Sequence, residues 1–211
     1  MKRKVLAIAV LMTICATSYA EESNFPVDSE PMMDNSAEVA PPEPLRYLLG
    51  VGLTTGGDKL VTVAYSDGST DSVTAGGFYS LYGGMDYRLN ENLSLRGSIG
   101  YHFDTTKPAD NGEVTFGRVP LELMAYYHAS SEIRIGGGTR IVLSPKMEGT
   151  GVASAATMSF NNTLGIVGEA EYMFTHELGI SLRYVIEKYK ASGISSTING
   201  NHLGLMANIY L

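Results

Sequence analysis

Charged residues after position 45 fall on one face of a series of alternating segments. In these segments apolar residues occupy every second position, which is the period of a β-strand with one apolar face. The intervening positions hold six arginines and six carboxylates, which are Asp86, Arg88, Arg96, Asp104, Arg118, Glu122, Arg134, Arg140, Glu169, Glu171, Arg183 and Glu187. A sheet with apolar side chains on one face and charged side chains on the other must have different environments on its two faces.

The apolar face points outward if the sheet is a barrel in a lipid bilayer. A water-soluble sandwich would instead pack its apolar face against a second sheet and expose its charges. In a bilayer, a base on the lipid face at mid-membrane costs about 2–4 kcal/mol, which confines charges to the inside. Side chains fill the lumen of an eight-stranded barrel, and buried charges there must pair. We therefore predict that these charged residues form a salt-bridged network that plugs the lumen.

The alternating segments number eight, and turn-forming residues separate them. They span residues 46–55, 77–89, 92–104, 113–128, 132–143, 159–174, 178–189 and 202–211. Segments of this length and pattern are typical of strands that cross an outer membrane. The sixth segment places Phe160 on the outward face, and the eighth ends on its apolar row, as expected for a strand that closes against the first. The sequence predicts an all-β fold, an eight-stranded antiparallel up-and-down transmembrane β-barrel over residues 46–211.

The links between these segments alternate between short and long. Residues 90–91, 129–131 and 175–177 form tight turns, whereas the other four links are longer and rich in small polar residues. Outer-membrane barrels of this kind have short periplasmic turns and long external loops. We therefore expect an outer-membrane location in a Gram-negative bacterium, with both termini in the periplasm.

The first long link has β-forming residues on both sides of a strong turn signal. Residues 60–65 and 72–75 flank Asp67-Gly68, a dipeptide typical of tight hairpins. We expect a hairpin that projects above the membrane, with an ordinary loop as the alternative. Candidate surface-interaction residues on this hairpin are Lys59, Tyr65, Asp67, Gly68 and Asp71.

The sequence before the barrel divides into two parts. Residues 1–20 have basic residues, an apolar run and small residues before Ala20, as in a secretory signal peptide. Residues 21–45 hold seven acids, no base and five prolines, which favours a disordered periplasmic leader. The one cysteine, Cys15, lies in the signal, so the chain after it offers no thiol for disulfides or metals.

Composition and spacing argue against several classes of function. The formal charge of residues 46–211 is −3, obtained by removing the −7 of the leader and the +3 of the signal from the total of −7, and it offers no basic surface for nucleic acid. The four histidines are scattered, and we expect neither a metal site nor a cofactor. Carboxylate pairs such as Glu169 and Glu171 have arginines as partners, so we expect no catalytic site.

Two segments carry a resemblance to a known group of proteins. Residues 81–89 (LYGGMDYRL) and 95–103 (LRGSIGYHF), with the terminal alternation, are similar to the small eight-stranded outer-membrane barrels of the OmpA transmembrane-domain, OmpX and OmpW type. The resemblance implies insertion by the barrel assembly machinery, which reads a terminal aromatic residue in that group. Here Leu211 stands at that place, and Tyr210 is on the opposite face.

These features together predict a monomeric, largely plugged barrel in contact with outer-membrane lipids and lipopolysaccharide. Its role would be structural or adhesive, through external loops that contact a host or matrix surface ligand. A different class of function is a narrow, porin-like passage for small or hydrophobic solutes. A third is a lipid-modifying barrel enzyme, although the lipid face offers no histidine or acid within a membrane span.

Overall fold

The computed structural model describes residues 44–65, 68–106, 112–191 and 196–211. In chain order its elements are β1 (Leu45–Gly56), β2 (Lys59–Ala64), β3 (Thr70–Thr74), β4 (Phe78–Arg88), β5 (Leu93–Thr105), β6 (Val114–His128), β7 (Ile133–Gly149), a 3-10 helix (Gly151–Ala156), β8 (Met158–Ser159), β9 (Thr163–Met173), β10 (Leu178–Lys190), β11 (Thr197–Asn199) and β12 (His202–Tyr210). The predicted signal peptide, and the leader as far as residue 43, lie outside the described residues.

Eight of these strands close into a barrel. Each barrel strand pairs in antiparallel fashion with its neighbours in the order β1, β4, β5, β6, β7, β9, β10 and β12. The last strand returns to the first, with Leu48 opposite Tyr210 and Gly56 opposite His202. Closure leaves no free edge in the barrel wall, which a lipid environment requires. The predicted eight-stranded antiparallel barrel is confirmed.

The outer face of the wall is apolar and the inner face is polar. Large apolar side chains such as Leu49, Leu123 and Ile166 are more than half exposed on the outside. The outward tyrosines 47, 87, 127 and 172 lie towards one end of the strands, at the level where aromatic girdles flank the apolar band of membrane barrels. Within the described residues no helix is long and apolar enough to cross a bilayer.

The two ends of the barrel differ in how the strands are connected. At one end, here called the turn end, three short turns lie beside the start of β1 and the end of β12. Each turn is held by one side chain that accepts two backbone N–H groups: Asn90 from residues 92 and 93, Ser130 from residues 132 and 133, and Thr175 from residues 177 and 178. Asn, Ser and Thr favour turns for this reason.

The opposite end, here called the loop end, carries the long connections. Strands β2 and β3 pair in a two-stranded sheet of their own, with Val63 opposite Asp71. The predicted hairpin is therefore present, but it folds over the barrel mouth, whereas we expected it to project. The reason is apolar packing, because Val73 and the following Ala75 are fully buried against side chains of the barrel strands.

This packing forms what we call the loop-end cluster. Its buried members are Val73, Ala75, Val114, Phe116, Val142, Met147, Phe160, Tyr189 and Ala191. The ring of Phe116 lies edge-to-face with the rings of Phe160 and Tyr189, at centroid distances of 5.4 and 5.6 Å. The cluster closes the loop end with apolar side chains.

The position of Phe160 corrects one prediction. The alternation placed it on the lipid face of the sixth segment, but the strand begins at Thr163 and Phe160 is only 6% exposed. Phe160 forms an isolated bridge with Ala191 and turns into the loop-end cluster. Outside the lipid band, an apolar side chain is better buried against its neighbours than exposed to water.

Candidate functional site: the filled lumen

The strand alternation directs the predicted charged side chains into the lumen. Eleven of the twelve side chains, all except Arg88, are at most 8% exposed. Four arginines, at positions 96, 118, 134 and 140, are among the largest fully buried side chains. Burial of this many charges requires partners for nearly all of them.

The partners form one alternating chain of arginines and carboxylates, here called the ion-pair chain. From the turn end it runs Arg46, Asp86, Arg134, Glu171, Arg96, Glu169, Arg183, Glu122, Arg140, Glu187 and Arg118. The two end contacts, Arg46–Asp86 and Arg118–Glu187, are 3.9 Å long, and the contacts between them measure 2.7–3.1 Å. Each carboxylate therefore bridges at least two arginines on different strands, and Asp86 also contacts Arg96 at 3.6 Å.

Polar aromatic side chains fill the space around the ion-pair chain. The Tyr210 hydroxyl donates to Glu171 at 2.7 Å and accepts from Arg96 and Arg134. The Tyr126 hydroxyl donates to Glu169 at 2.9 Å, and its ring lies across the backbone of Gly136, where a Cβ atom would overlap it. Inward glycines therefore provide the room that the long side chains need.

Two predicted members stand apart from the ion-pair chain. Arg88 is half-buried at the turn end, donates to the carbonyl oxygens of Asn90 and Glu91, and has no ion pair among the described residues. Asp104, near the loop end, accepts from the backbone N–H and the hydroxyl of Thr74, at 2.7 and 3.0 Å. Asp104 thus holds the hairpin over the mouth and forms no salt bridge within the described residues.

The predicted charge network did not include Arg46, His102 and His202, which the structure also places in the lumen. Arg46 begins the ion-pair chain, although it stands at the first position of the predicted first segment. His102 lies beneath the loop-end cluster, with its ring nitrogens 2.8 Å from the hydroxyl of Thr54, 3.1 Å from Arg118 and 3.2 Å from Arg140. The ring of His202 is 5.0 Å away. Their inward parity was visible in the sequence, but their mutual proximity was not.

These histidines do not build a metal site. Among the residues that the structure describes, no group of three or more His, Cys, Asp or Glu side chains is placed to hold a metal ion. Arg118 and Arg140 contact the ring nitrogens of His102, and their positive charges would repel a metal cation there.

The candidate surface residues lie on or beside the hairpin. Lys59 and Gly68 are exposed, whereas Tyr65 and Asp71 are half-buried. Gly68 has φ +81°, a left-handed conformation that glycine adopts without strain. Asp67 lies outside the described residues. The hairpin therefore presents a mixed polar surface above the loop-end cluster.

Among the hollows of the described structure, two differ clearly in their lining. One, of about 360 Å³, opens at the turn end between Arg46, Arg88, Arg134 and His176. The other, of about 620 Å³, is an apolar depression in the wall, where Gly83 and Gly97 lie among Met85, Leu121 and Leu123. Arginine and histidine make up half of the residues that line the first, which also includes Glu132, Met173 and Phe174, whereas most of the residues that line the second suit lipid.

Comparison with known proteins bears on the fold. No family model matches the sequence, and no curated protein matches it. The chain is similar to the crystal structure of Ail, the attachment invasion locus protein of Yersinia pestis, with a TM-score of 0.52 at 10% identity over 79% of this chain and 97% of that chain. Neisserial surface protein A gives 0.49 at 12% identity, with 79% and 97% covered. OprG of Pseudomonas aeruginosa gives 0.45 at 14% identity, with 80% and 96% covered. The predicted resemblance to small eight-stranded outer-membrane barrels is thus confirmed at the level of the fold.

Proposed function

We propose that this chain is a closed barrel of a Gram-negative outer membrane, with a structural or adhesive role exercised at its loop end. In this proposal both termini and the turn end face the periplasm, and the loop end faces the exterior. The observation that carries it is the filled lumen, which the ion-pair chain occupies from Arg46 to Arg118 and the loop-end cluster covers.

The energetics of the ion-pair chain support a barrel that does not conduct. A solute could pass only if several arginines and carboxylates moved apart together. Separating one buried ion pair leaves uncompensated charge and costs about 3–5 kcal/mol. Contacts such as Arg183–Glu122 at 2.7 Å and Arg140–Glu122 at 2.9 Å couple each separation to the next.

The proposed partners follow from the two outer surfaces. The apolar wall suits outer-membrane lipids and the acyl chains of lipopolysaccharide, and insertion requires the barrel assembly machinery. The hairpin and its neighbouring loops suit a host or matrix surface ligand. We propose a monomer with no catalytic activity, no cofactor and no nucleic-acid partner.

Conductance in planar bilayers tests the closed lumen. We expect no stable open state for the purified protein. A charge-balanced variant with Glu122, Arg140, Arg183 and Glu187 changed to Ala removes four consecutive members from the loop-end half of the ion-pair chain and should conduct. The exposed pair Lys146–Glu148, changed to Gln and Gln, is the matched control and should behave like the unmodified protein. A reproducible open state of the unmodified protein would contradict the proposal.

Binding of cells to host or matrix surfaces tests the adhesive role. Deleting residues 58–75 would also remove Val73 and Ala75 from the loop-end cluster, so a surface change is cleaner. Lys59→Glu with Thr62→Glu alters two exposed hairpin positions. Cells that express this variant should bind less than cells that express the unmodified chain, at equal surface levels. Equal binding by both would restrict the role to structural support.

The apolar depression in the wall favours a second candidate function, passage or holding of small hydrophobic solutes. Its residues Gly83 and Gly97 leave a hollow in the lipid-facing surface. Gly97→Leu would fill the hollow without touching the ion-pair chain. Lower uptake of a hydrophobic probe by cells with this variant would support the second candidate, and unchanged uptake would remove it.

A further inference from the structure

The hollow at the turn end, here called the turn-end basin, has a lining that differs from the rest of the lumen. Its volume is about 360 Å³. Arg46 of β1, Arg88 of β4, His128 of β6 and Arg134 of β7 lie around it, and His176 reaches it from the turn between β9 and β10. Because it lies inside the ring of turns, it opens to water and not to lipid.

The basin holds more positive than negative charge. The ion-pair chain both begins and ends with an arginine, so its six arginines exceed its five carboxylates by one. At the turn end Asp86 is shared by three arginines, and the contact with Arg46 is the longest at 3.9 Å. Arg88 adds a further charge without an ion pair among the described residues. Glu132 is the acidic side chain in the lining, and it is exposed.

The two arginines at the mouth are held in place by neutral groups. Arg46 donates to the carbonyl oxygen of His176 at 2.9 Å and lies 4.6 Å from the centre of the Tyr210 ring. Arg88 donates to the carbonyl oxygen of Glu91 at 2.7 Å. A guanidinium has five N–H donors in a fixed plane. These contacts therefore orient each guanidinium and leave some of its N–H donors available to a ligand. Neither contact neutralises its charge.

We propose that the turn-end basin binds an oxyanion, a carboxylate or a phosphate, between Arg46 and Arg88. The volume is near the lower limit for a ligand pocket, so the ligand is a single charged group on a short stem. Arginine pairs with carboxylate and phosphate in bidentate geometry, which suits both groups. Two sources supply this chemistry: the carboxylate of Glu43, which the sequence places three residues before Arg46, and a free anion from solution.

Methyl NMR of the full chain in detergent micelles, labelled at the methionine methyl groups, tests the proposal. Inorganic phosphate and acetate are titrated in turn, with sodium chloride added to keep the ionic strength constant. The methyl signal of Met173, which lines the basin, should shift in a saturable way. The signal of Met158, exposed at the loop end, should not move. A Met173 signal that moves only linearly, or as much with chloride, would overturn the proposal.

Arg88→Gln is the variant of choice, because Arg88 lies outside the ion-pair chain. It should weaken anion binding about tenfold, as expected for the loss of a charge-assisted hydrogen bond. Lys190→Gln, which removes an exposed charge near the loop end, is the matched control and should leave binding unchanged. Equal affinity in the unmodified protein and in Arg88→Gln would also overturn the proposal. Migration of the unheated protein on a gel checks that each variant is folded.

A second background identifies the source of the anion. It carries the substitution Glu43→Gln. If the Glu43 carboxylate occupies the basin, the Glu43→Gln background shifts the Met173 signal before any anion is added and binds phosphate more tightly. If the anion comes from solution, both backgrounds give the same titration. Each result supports an oxyanion site and assigns its source.

Discussion

The ion-pair chain and the loop-end cluster fill one lumen with opposite chemistries. In the ion-pair chain, arginines and carboxylates from many strands alternate at 2.7–3.1 Å, with one longer contact of 3.9 Å at each end, and each carboxylate serves at least two arginines. In the loop-end cluster, Phe116, Phe160 and Tyr189 pack edge-to-face beneath the hairpin. The first lies within the height of the apolar wall and the second above it.

The difference shows what the surroundings of the wall impose on the interior. Where lipid covers the outside, most apolar side chains point outward, and polar groups fill most of the inside, with a few apolar ones such as Met124 and Val167 packed among them. Beyond the lipid, apolar side chains can turn inward and the ordinary packing of a water-soluble core returns. We expect the two regions to respond differently to substitution. The contacts of the ion-pair chain depend on one another, whereas the loop-end cluster can open locally when the hairpin detaches.

The largest expected effect is on the ion-pair chain. Glu171→Gln keeps the size of the side chain but leaves Arg96 and Arg134 without a shared carboxylate. We expect the free energy of unfolding in urea, followed by circular dichroism, to fall by about 3–5 kcal/mol. Glu148→Gln, which removes one partner of the exposed pair with Lys146, should cost less than about 1 kcal/mol. Similar costs for both variants would mean that the ion-pair chain is no more coupled than a surface pair.

A smaller and local effect is expected in the loop-end cluster. Val73→Asp places an unpaired charge in apolar packing and should release the hairpin while the barrel stays folded. Trypsin cleavage after Lys59 should become about tenfold faster or more, since burying an unpaired polar group costs about 1–3 kcal/mol or more. Thr62→Asp, at an exposed position of the same hairpin, is the control. Loss of barrel stability together with faster cleavage would show that the two regions unfold as one.

A single hydroxyl group within the ion-pair chain should matter less. Tyr210→Phe removes the donor to Glu171, which retains its two arginines and the amide of Asn208. We expect the free energy of unfolding to fall by about 1–3 kcal/mol, because the hydroxyl also accepts from Arg96 and Arg134 and each of its three hydrogen bonds is worth about 1 kcal/mol. Tyr172→Phe, on the outer face, should change it by less. If Tyr210→Phe were as costly as Glu171→Gln, the hydroxyl would be essential to the pairing.

The smallest effect on stability is expected at the last residue. Leu211 is 70% exposed at the turn end, so Leu211→Phe should change the free energy of unfolding by no more than about 0.5 kcal/mol. The substitution restores the terminal aromatic residue of the resembling barrels and should speed assembly. A pulse-chase measurement of the folded, heat-modifiable form would show this. An unchanged rate would mean that the strand alternation is sufficient for recognition.

The face of each strand residue in the lipid band was predictable from the sequence. Because charged side chains must avoid lipid, the strand alternation assigned Arg96, Arg134 and Glu171 to the lumen. The structure places all three there. The pairing order was not predictable, because parity gives the side of the wall but not the height. Height depends on the stagger between strands, such as Arg134 opposite Glu171, which emerges only when the barrel closes.

The rule of alternation fails where lipid ends. Phe160 was predicted to face lipid, and the hairpin was predicted to project, yet both turn inward at the loop end. Asp104 was predicted to pair with an arginine in the charge network, but its partner is the hairpin residue Thr74. For Phe160 and the hairpin the competing force is burial of apolar side chains between segments that are distant in sequence, and for Asp104 it is hydrogen bonding to the hairpin. No periodic signal in one segment reports such a contact.

The place of Tyr210 in the lumen ties completion of the interior to the pairing of the last barrel strand, β12. Its hydroxyl joins Arg96 of β5, Arg134 of β7 and Glu171 of β9. A nascent sheet that still lacks β12 therefore holds these charged groups with the three contacts to this hydroxyl unmade and with both edges free to pair elsewhere. Closing the cylinder and completing its interior are one event, so loss of β12 would affect three other strands at once.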